Sequence, residues 1–250
     1  DALDAEDTGS RNVAIGYNSL KALNYDGNGY NVAVGFEAGK SVSTGIANTI
    51  IGALAGDAMQ GASNNTALGF SAMGATTTGD LNVAIGDNAM LANTVGDRNV
   101  AVGSGALYTM NPASNVDMFN TAVGFNAGYA VTTGVSNTLI GGGAGDSITT
   151  GDYNVAVGRG ALATEDAHGY TTAIGTFALL NQDAGANAHN VAVGYSAGTN
   201  VTTGGENTII GGLAGDALTT GTRNVAIGYH ALGGEDAHGK NVAIGYQALK

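Results

Sequence analysis

Few residues in this sequence belong to types that do chemistry, and their spacing limits what they can do. Glu165-Asp166-Ala167-His168 and Glu235-Asp236-Ala237-His238 each place two carboxylates and an imidazole in four residues. That donor set would suit a divalent cation. An acidic turn is more often a solvated turn, and both tetrapeptides lie in duplicated surroundings, so no metal is expected. Gly-Gly-x-Ala-Gly-Asp at 141–146 and 211–216 approaches a calcium-binding nonapeptide. However, Ala replaces its second Gly, and the spacing is not a multiple of nine. Thr pairs at 77–78, 132–133, 149–150, 202–203 and 219–220 invite an ice-binding reading. Adjacent residues of a strand point to opposite sides, so the pairs cannot build one flat threonine face. The four His lie in turn-like stretches, and no Ser-His-Asp set or phosphate loop occurs. No catalytic residue and no cofactor are expected, and the chain does not read as an enzyme.

Composition narrows the class. Gly supplies 43 of 250 residues, Pro one and Cys none, where about 7% Gly is usual. Collagen needs Gly at every third position, and a disordered Gly-rich tail would not carry 44% hydrophobic residues. Without Cys there is neither a disulfide scaffold nor a thiolate metal site. A net charge of -12 argues against nucleic acid and anionic membrane surfaces as partners. No run of about 18 apolar residues suggests membrane insertion. The opening DALDAED does not resemble a signal peptide, and the abrupt end at Lys250 suggests a piece of something longer.

The elements that position all these residues are set by a repeat. A pentapeptide, Asn-(Val/Thr)-(Ala/Ile/Leu)-(Ile/Val/Leu)-Gly, starts at Asn12, Asn31, Asn48, Asn65, Asn82, Asn99, Asn120, Asn137, Asn154, Asn190, Asn207, Asn224 and Asn241, with Thr171 replacing Asn in one further copy. Ten of the thirteen intervals are 17 residues, two are 19 and one is 21. With the Asn as position 0, position +4 is always glycine: Gly16, Gly35, Gly52, Gly69, Gly86, Gly103, Gly124, Gly141, Gly158, Gly175, Gly194, Gly211, Gly228 and Gly245. Position +7 is Ala in thirteen copies, and a second Gly often precedes the next Asn by three. Residues 1–11 read as a lead-in and 12–250 as a single repeat domain.

Seventeen residues are too few for a helix pair. The run at +1 to +3 is β-prone, with +1 and +3 on one face and +2 on the other. The expected fold is all-β, a parallel β-solenoid of about 14 rungs. At about 4.8 Å per rung it would form a rod of about 65 Å. The Asn column is expected to form an amide ladder, and the +4 Gly a corner with positive φ or close backbone approach. Position +2 is Ala in eleven copies and never Ser, Thr or Lys. We read this small face as one buried between chains, which implies a homo-oligomer, with three copies favoured. The competing reading is that the Ala column lines its own coil.

Asn-Val-Ala-Ile-Gly at 12–16, 82–86, 224–228 and 241–245 resembles the core of trimeric autotransporter adhesin head repeats. Asn120-Thr-Ala-Val-Gly-Phe-Asn-Ala-Gly128, with Thr132-Thr-Gly134 downstream, is similar to repeats of bacteriophage tail fibres. The resemblance covers essentially the whole chain. It implies a left-handed, homotrimeric parallel β-roll that projects from a surface and binds host or matrix. The adhesin unit is typically shorter than 17 residues, and the family's anchor and stalk are not in this sequence.

The longer units have a pattern of their own. Each precedes a similar block, at 31–39, 120–128 and 190–198, followed by a unit ending Ala-Gly-Asp at Asp57, Asp146 and Asp216. Their extra residues define candidate loops at 21–30, 108–119 and 180–189. Position -1 collects Tyr153, Tyr170, His189, Arg223 and Lys240, among others. This aromatic and basic stripe could engage a glycan or an acidic polymer, although a solvated column is the plainer reading. Aromatics at +5 are expected to cover a corner. The function expected from these features is a structural and adhesive segment of an extracellular fibre, on a cell surface or virion tail. It would display loops for multivalent binding to a glycan or protein receptor. A self-assembling filament or sheath subunit with no receptor is the alternative.

Overall fold

The computed structural model describes residues 1–6, 8–234 and 236–250. The chain forms fourteen three-residue strands, all parallel, stacked as a β-solenoid with one strand per repeat, and no helix occurs among the described residues. It divides into two units, 1–125 and 126–250.

The first unit holds β1 (Val13–Ile15), β2 (Val32–Val34), β3 (Thr49–Ile51), β4 (Thr66–Leu68), β5 (Val83–Ile85), β6 (Val100–Val102) and β7 (Thr121–Val123). The second holds β8 (Thr138–Ile140), β9 (Val155–Val157), β10 (Thr172–Ile174), β11 (Val191–Val193), β12 (Thr208–Ile210), β13 (Val225–Ile227) and β14 (Val242–Ile244). Within each unit every strand pairs with the next in strict register, so Val83 faces Val100 and Thr208 faces Val225. Each repeat position therefore becomes a column along its unit.

The Asn column is a ladder. Within each unit, where consecutive rungs both carry Asn, the later backbone N–H donates to the side-chain oxygen of the Asn one rung earlier, at 2.8–3.1 Å. In most rungs the amide nitrogen donates to the carbonyl fourteen residues on, closing its own coil, as Asn48 does to Ala62 at 2.8 Å and Asn207 to Gly221 at 2.9 Å. One side chain thus satisfies two buried backbone groups, which explains why the position tolerates so little variation.

At the +4 corner every glycine has φ between +124° and +143°, a region closed to residues with a Cβ. Space is closed as well: a Cβ on Gly52 would lie 2.3 Å from the carbonyl oxygen of Gly69 in the next rung. The glycines of the second corner have no positive φ but are closely enclosed, although Ala62, His168 and His238 take the same position in other rungs. A Cβ on Gly134 would sit 2.5 Å from the Gly151 oxygen.

The core corrects the expectation about the small face. Ala33, Ala67, Ala84, Ala101 and Ala122, with Ile50, are fully buried within a single chain, as are Leu139, Ala156, Ala173, Ala192, Ile209 and Ala226. The +2 column lines its own coil and is not a surface left for another chain. Facing it is a second small column at +7, buried from Ser19 to Ala231. The two walls of a 17-residue coil lie so close that mostly Ala fits on both. Larger side chains fill what remains at +8 and +11, as Leu20 with Leu23 and Leu107 with Met110.

Packing also explains the super-repeat. Where +2 is Ile or Leu, +8 is Gly in the same rung and in the rung before. A Cβ on Gly39 would lie 2.9 Å from Ile50 Cδ1 and 3.0 Å from Leu20 Cδ2, and Gly198 stands in the same relation to Ile209 and Leu179. Large and small residues interlock from rung to rung.

One conformational feature has no compositional sign. All fourteen residues at -1 have φ between +51° and +65°. Apart from Asn64 and His189 they are not residue types that favour this region. Stacking between rungs imposes it.

Candidate functional site

Alternation along each strand sends +1 and +3 outward once +2 points in. At +1 stands Val or Thr and at +3 Ile, Val or Leu, and none of these 28 side chains is charged or buried. The flanking -1 and +5 columns also reach solvent. Tyr30, Phe119, Tyr153 and Tyr170 at -1 and all seven +5 aromatics, Tyr17, Phe36, Phe70, Phe125, Tyr195, Tyr229 and Tyr246, are exposed. The +5 rings, which follow the glycine corner, belong to an open face.

The aromatic and basic stripe, which the sequence offered as a ligand surface beside the plainer reading of a solvated column, is brought together in the second unit. Tyr153 stacks on Tyr170 and Tyr170 on His189, each with ring centroids 5.3 Å apart. Stacked rings cover one another's faces, so this ladder presents ring edges, hydroxyls and an imidazole edge. The position preceding Tyr153 is Ser136, so no ring covers that face of Tyr153. The column continues through Glu206 and Arg223, joined at 2.8 Å, to exposed Lys240. The Arg223 guanidinium holds the Glu206 carboxyl below its ordinary value, and Glu206 raises Arg223 in return. Both are more than half exposed, so the pair orders the column without adding much stability. In the first unit Arg11 lies over Tyr30 and Arg98 over Phe119, at 5.4 and 5.8 Å from the ring centres.

The first acidic tetrapeptide joins a partner that sequence reasoning missed. Glu165, Asp166, His168 and Asp183 bring potential ligand atoms within 4.8 Å of one another, Asp183 coming from the 180–189 insertion. Glu165 is buried and acts as an acceptor hub. It receives the backbone N–H and Nδ1 of His168 at 3.3 and 3.2 Å, Gln182 Nε2 at 3.0 Å and the Ala184 N–H at 3.4 Å. Its role in this arrangement is to anchor the insertion. In the second tetrapeptide Glu235 lies outside the described residues, and Asp236 and His238 are exposed.

The same insertion fills the one gap in the Asn ladder with side-chain bonds of its own. Thr171 lacks an amide, and Gln182 reaches across the interior from the +11 column. Its Nε2 donates to Thr171 Oγ1 at 3.0 Å, and its Oε1 accepts from Asn190 Nδ2 at 2.8 Å. Of the insertion, Gln182 and Ala188 are buried, whereas Asp183 and Gly185–Asn187 are exposed. In the 108–119 loop, Pro112 and Met118 are buried and 113–117 are exposed.

Burial raises the carboxyls of Asp57 and Asp146, and it raises Asp97 against the opposing hydrogen bond from the Asp80 N–H, with the Asp80 and Asp117 carboxylates adding to the rise. The folded state holds these protons more tightly than the unfolded chain does, so each group's contribution falls as pH rises through the carboxylate range. Asp146→Asn is therefore expected to raise the denaturation midpoint at pH 7. At about pH 3, below the ordinary Asp value, the two proteins should be equal; urea titrations at both pH values check this.

No protein-family model matches the chain, and no curated protein or solved structure is detectably similar to it.

Proposed function

We propose that the chain is a structural and adhesive segment of an extracellular fibre, of the kind carried by phage tails or bacterial surfaces. In this reading it assembles as a homo-oligomer, with three copies favoured. The observation that carries the proposal is the strict column register, which repeats exposed side chains rung by rung on a scaffold of ladders and interlocked small residues. Such an array suits many weak contacts made at once. Linked contacts of this kind gain about 10²–10⁴ over a single one without any new interaction. Glycans are the favoured receptors, met by the uncovered face of Tyr153 and the hydroxyls and charges of the column from Tyr153 to Lys240.

A glycan array probed with the wild-type chain and with the Tyr153→Ala/Tyr170→Ala variant tests this. Binding that the double variant weakens at least tenfold is the expected result. Equal binding by both proteins removes the column as the site, and no binding to any glycan overturns the adhesive reading. Electron microscopy of the same sample separates discrete particles from indefinite polymers, and the latter would favour the filament alternative.

A further inference from the structure

We infer that the receptor of the second unit is a neutral, linear β-1,4-linked polysaccharide that lies along the -1 column, with one sugar for each rung. This deepens the adhesive reading above and rests on it.

Six consecutive rungs of the second unit present a polar side chain at -1: Tyr153, Tyr170, His189, Glu206, Arg223 and Lys240, all exposed. Their backbones share one conformation, with φ between +51° and +65°. Their strands pair in strict register from β9 to β14. Each Cβ therefore leaves its rung in the same direction. The N–H groups of Tyr153, Tyr170, Arg223 and Lys240 donate to the preceding turn of the coil at 2.9–3.1 Å, which fixes the row before a ligand arrives. A row ordered in advance spares the ligand the cost of ordering it. In the first unit the same column is interrupted by Ala47, Leu81 and Phe119, so the continuous row belongs to the second unit.

Spacing selects the linkage. The rings of Tyr153, Tyr170 and His189 follow one another at 5.3 Å, and parallel strands keep successive rungs about 4.8 Å apart. A pyranose joined through equatorial oxygens at C1 and C4 advances its chain by nearly the same step, and such a chain runs straight. An α-1,4-linked chain curls away from a straight column. Because the stacked rings cover one another, the sugars meet hydroxyls and charged ends, and the contacts are hydrogen bonds.

Charge selects a neutral chain. Glu206 and Arg223 are paired at 2.8 Å and cancel, which leaves Lys240 as the net charge of the row on a chain of net charge -12. Like charges brought together oppose binding, so a polyanion is disfavoured. A neutral polyol finds donors on Arg223 and Lys240, an acceptor on Glu206 and both on the tyrosine hydroxyls. Each rung adds one weak contact to the same ligand, so affinity grows with the length of the sugar chain.

Calorimetric titration of the whole chain with cello- and chito-oligosaccharides of two, four and six sugars tests this. Malto-oligosaccharides of the same lengths are the α-linked contrast, and β-1,4-linked oligomannuronates the charged one. Affinity is expected to rise at least tenfold from two to six neutral β-linked sugars, and both contrasts should bind at least tenfold more weakly at six. Tyr153→Phe/Tyr170→Phe keeps both rings and deletes only the hydroxyls. It should keep the wild-type circular dichroism and lose at least fivefold on the six-sugar probe. Thr150→Ala/Thr203→Ala, exposed and off the column, should lose nothing. Affinity that does not grow with length, equal binding of the α-linked series, or a Phe variant that binds as wild type does overturns the placement along the column. Tighter binding of the mannuronates overturns the neutral class. If no β-linked probe binds but the glycan array shows other ligands, this inference falls and the adhesive reading stands; if nothing binds in either experiment, both fall.

Discussion

Gly86→Ala is expected to destabilise the protein by at least about 4 kcal/mol, enough to place it among the rare, diagnostic single substitutions. Two independent costs meet at this site. The backbone holds φ at +136°, and the new Cβ would lie 2.6 Å from both the carbonyl carbon and oxygen of Gly103 in the next rung. Neither neighbour is a flexible side chain that could move away. Relief would require separating the rungs, and with them the bond from the Gly86 N–H to Leu68 at 2.8 Å and that from Gly103 to Ile85 at 2.7 Å. Gly185→Ala is the control. Gly185 has φ +67° with nothing within 4 Å of the added atom, so its cost should be about 1–2 kcal/mol, that of the left-handed conformation alone. Guanidinium denaturation of both variants measures the difference.

The second large effect is expected in the ladder. Asn48→Ala should cost roughly 3–5 kcal/mol, because it strands the buried Asn65 N–H and Ala62 carbonyl at about 1–3 kcal/mol each. Those two groups are held at 3.0 and 2.8 Å by the one amide. Asn48→Thr should cost nearly as much, although Thr occurs naturally at 171. The difference lies across the coil: the Thr171 hydroxyl and the Asn190 amide are both bonded to Gln182, whereas the +11 residue opposite Asn48 is Met59, buried and apolar. The double variant Asn48→Thr/Met59→Gln should therefore recover at least about 1 kcal/mol of the loss. No recovery in a denaturation experiment would show that Gln182 does not act as the substitute amide.

The sequence-readable features share a cause. The Asn and +4 Gly columns meet demands that only one residue type answers, two backbone bonds from one short amide and a corner closed to any Cβ. They recur without substitution at +4 and with a single exception at 0. Their period led directly to strands, parallel pairing and corners, all of which the structure shows. The site was legible more unevenly. Tyr153, Tyr170 and His189 read as one column and do stack, because register follows from the period. Asp183 was invisible beside Glu165, since the two meet only when the insertion folds back over the preceding rung.

By itself, the sequence determined the solenoid, its rung count and its two corners, because each rests on local chemistry repeated at a fixed spacing. It also determined that +1 and +3 oppose +2, because alternation is a property of any strand. Only the tertiary structure decided which of those faces lies inside. Alternation is symmetric, and the volume inside the coil breaks the tie: opposing walls close enough to exclude most side chains larger than Ala at +2 and +7 force the bulky column outward. The left-handed conformation at -1 was decided the same way, by rung-to-rung stacking that overrides the preferences of Arg, Tyr, Phe and Leu. The small residues that seemed to await another chain are the core, and the bulky ones lie on the surface.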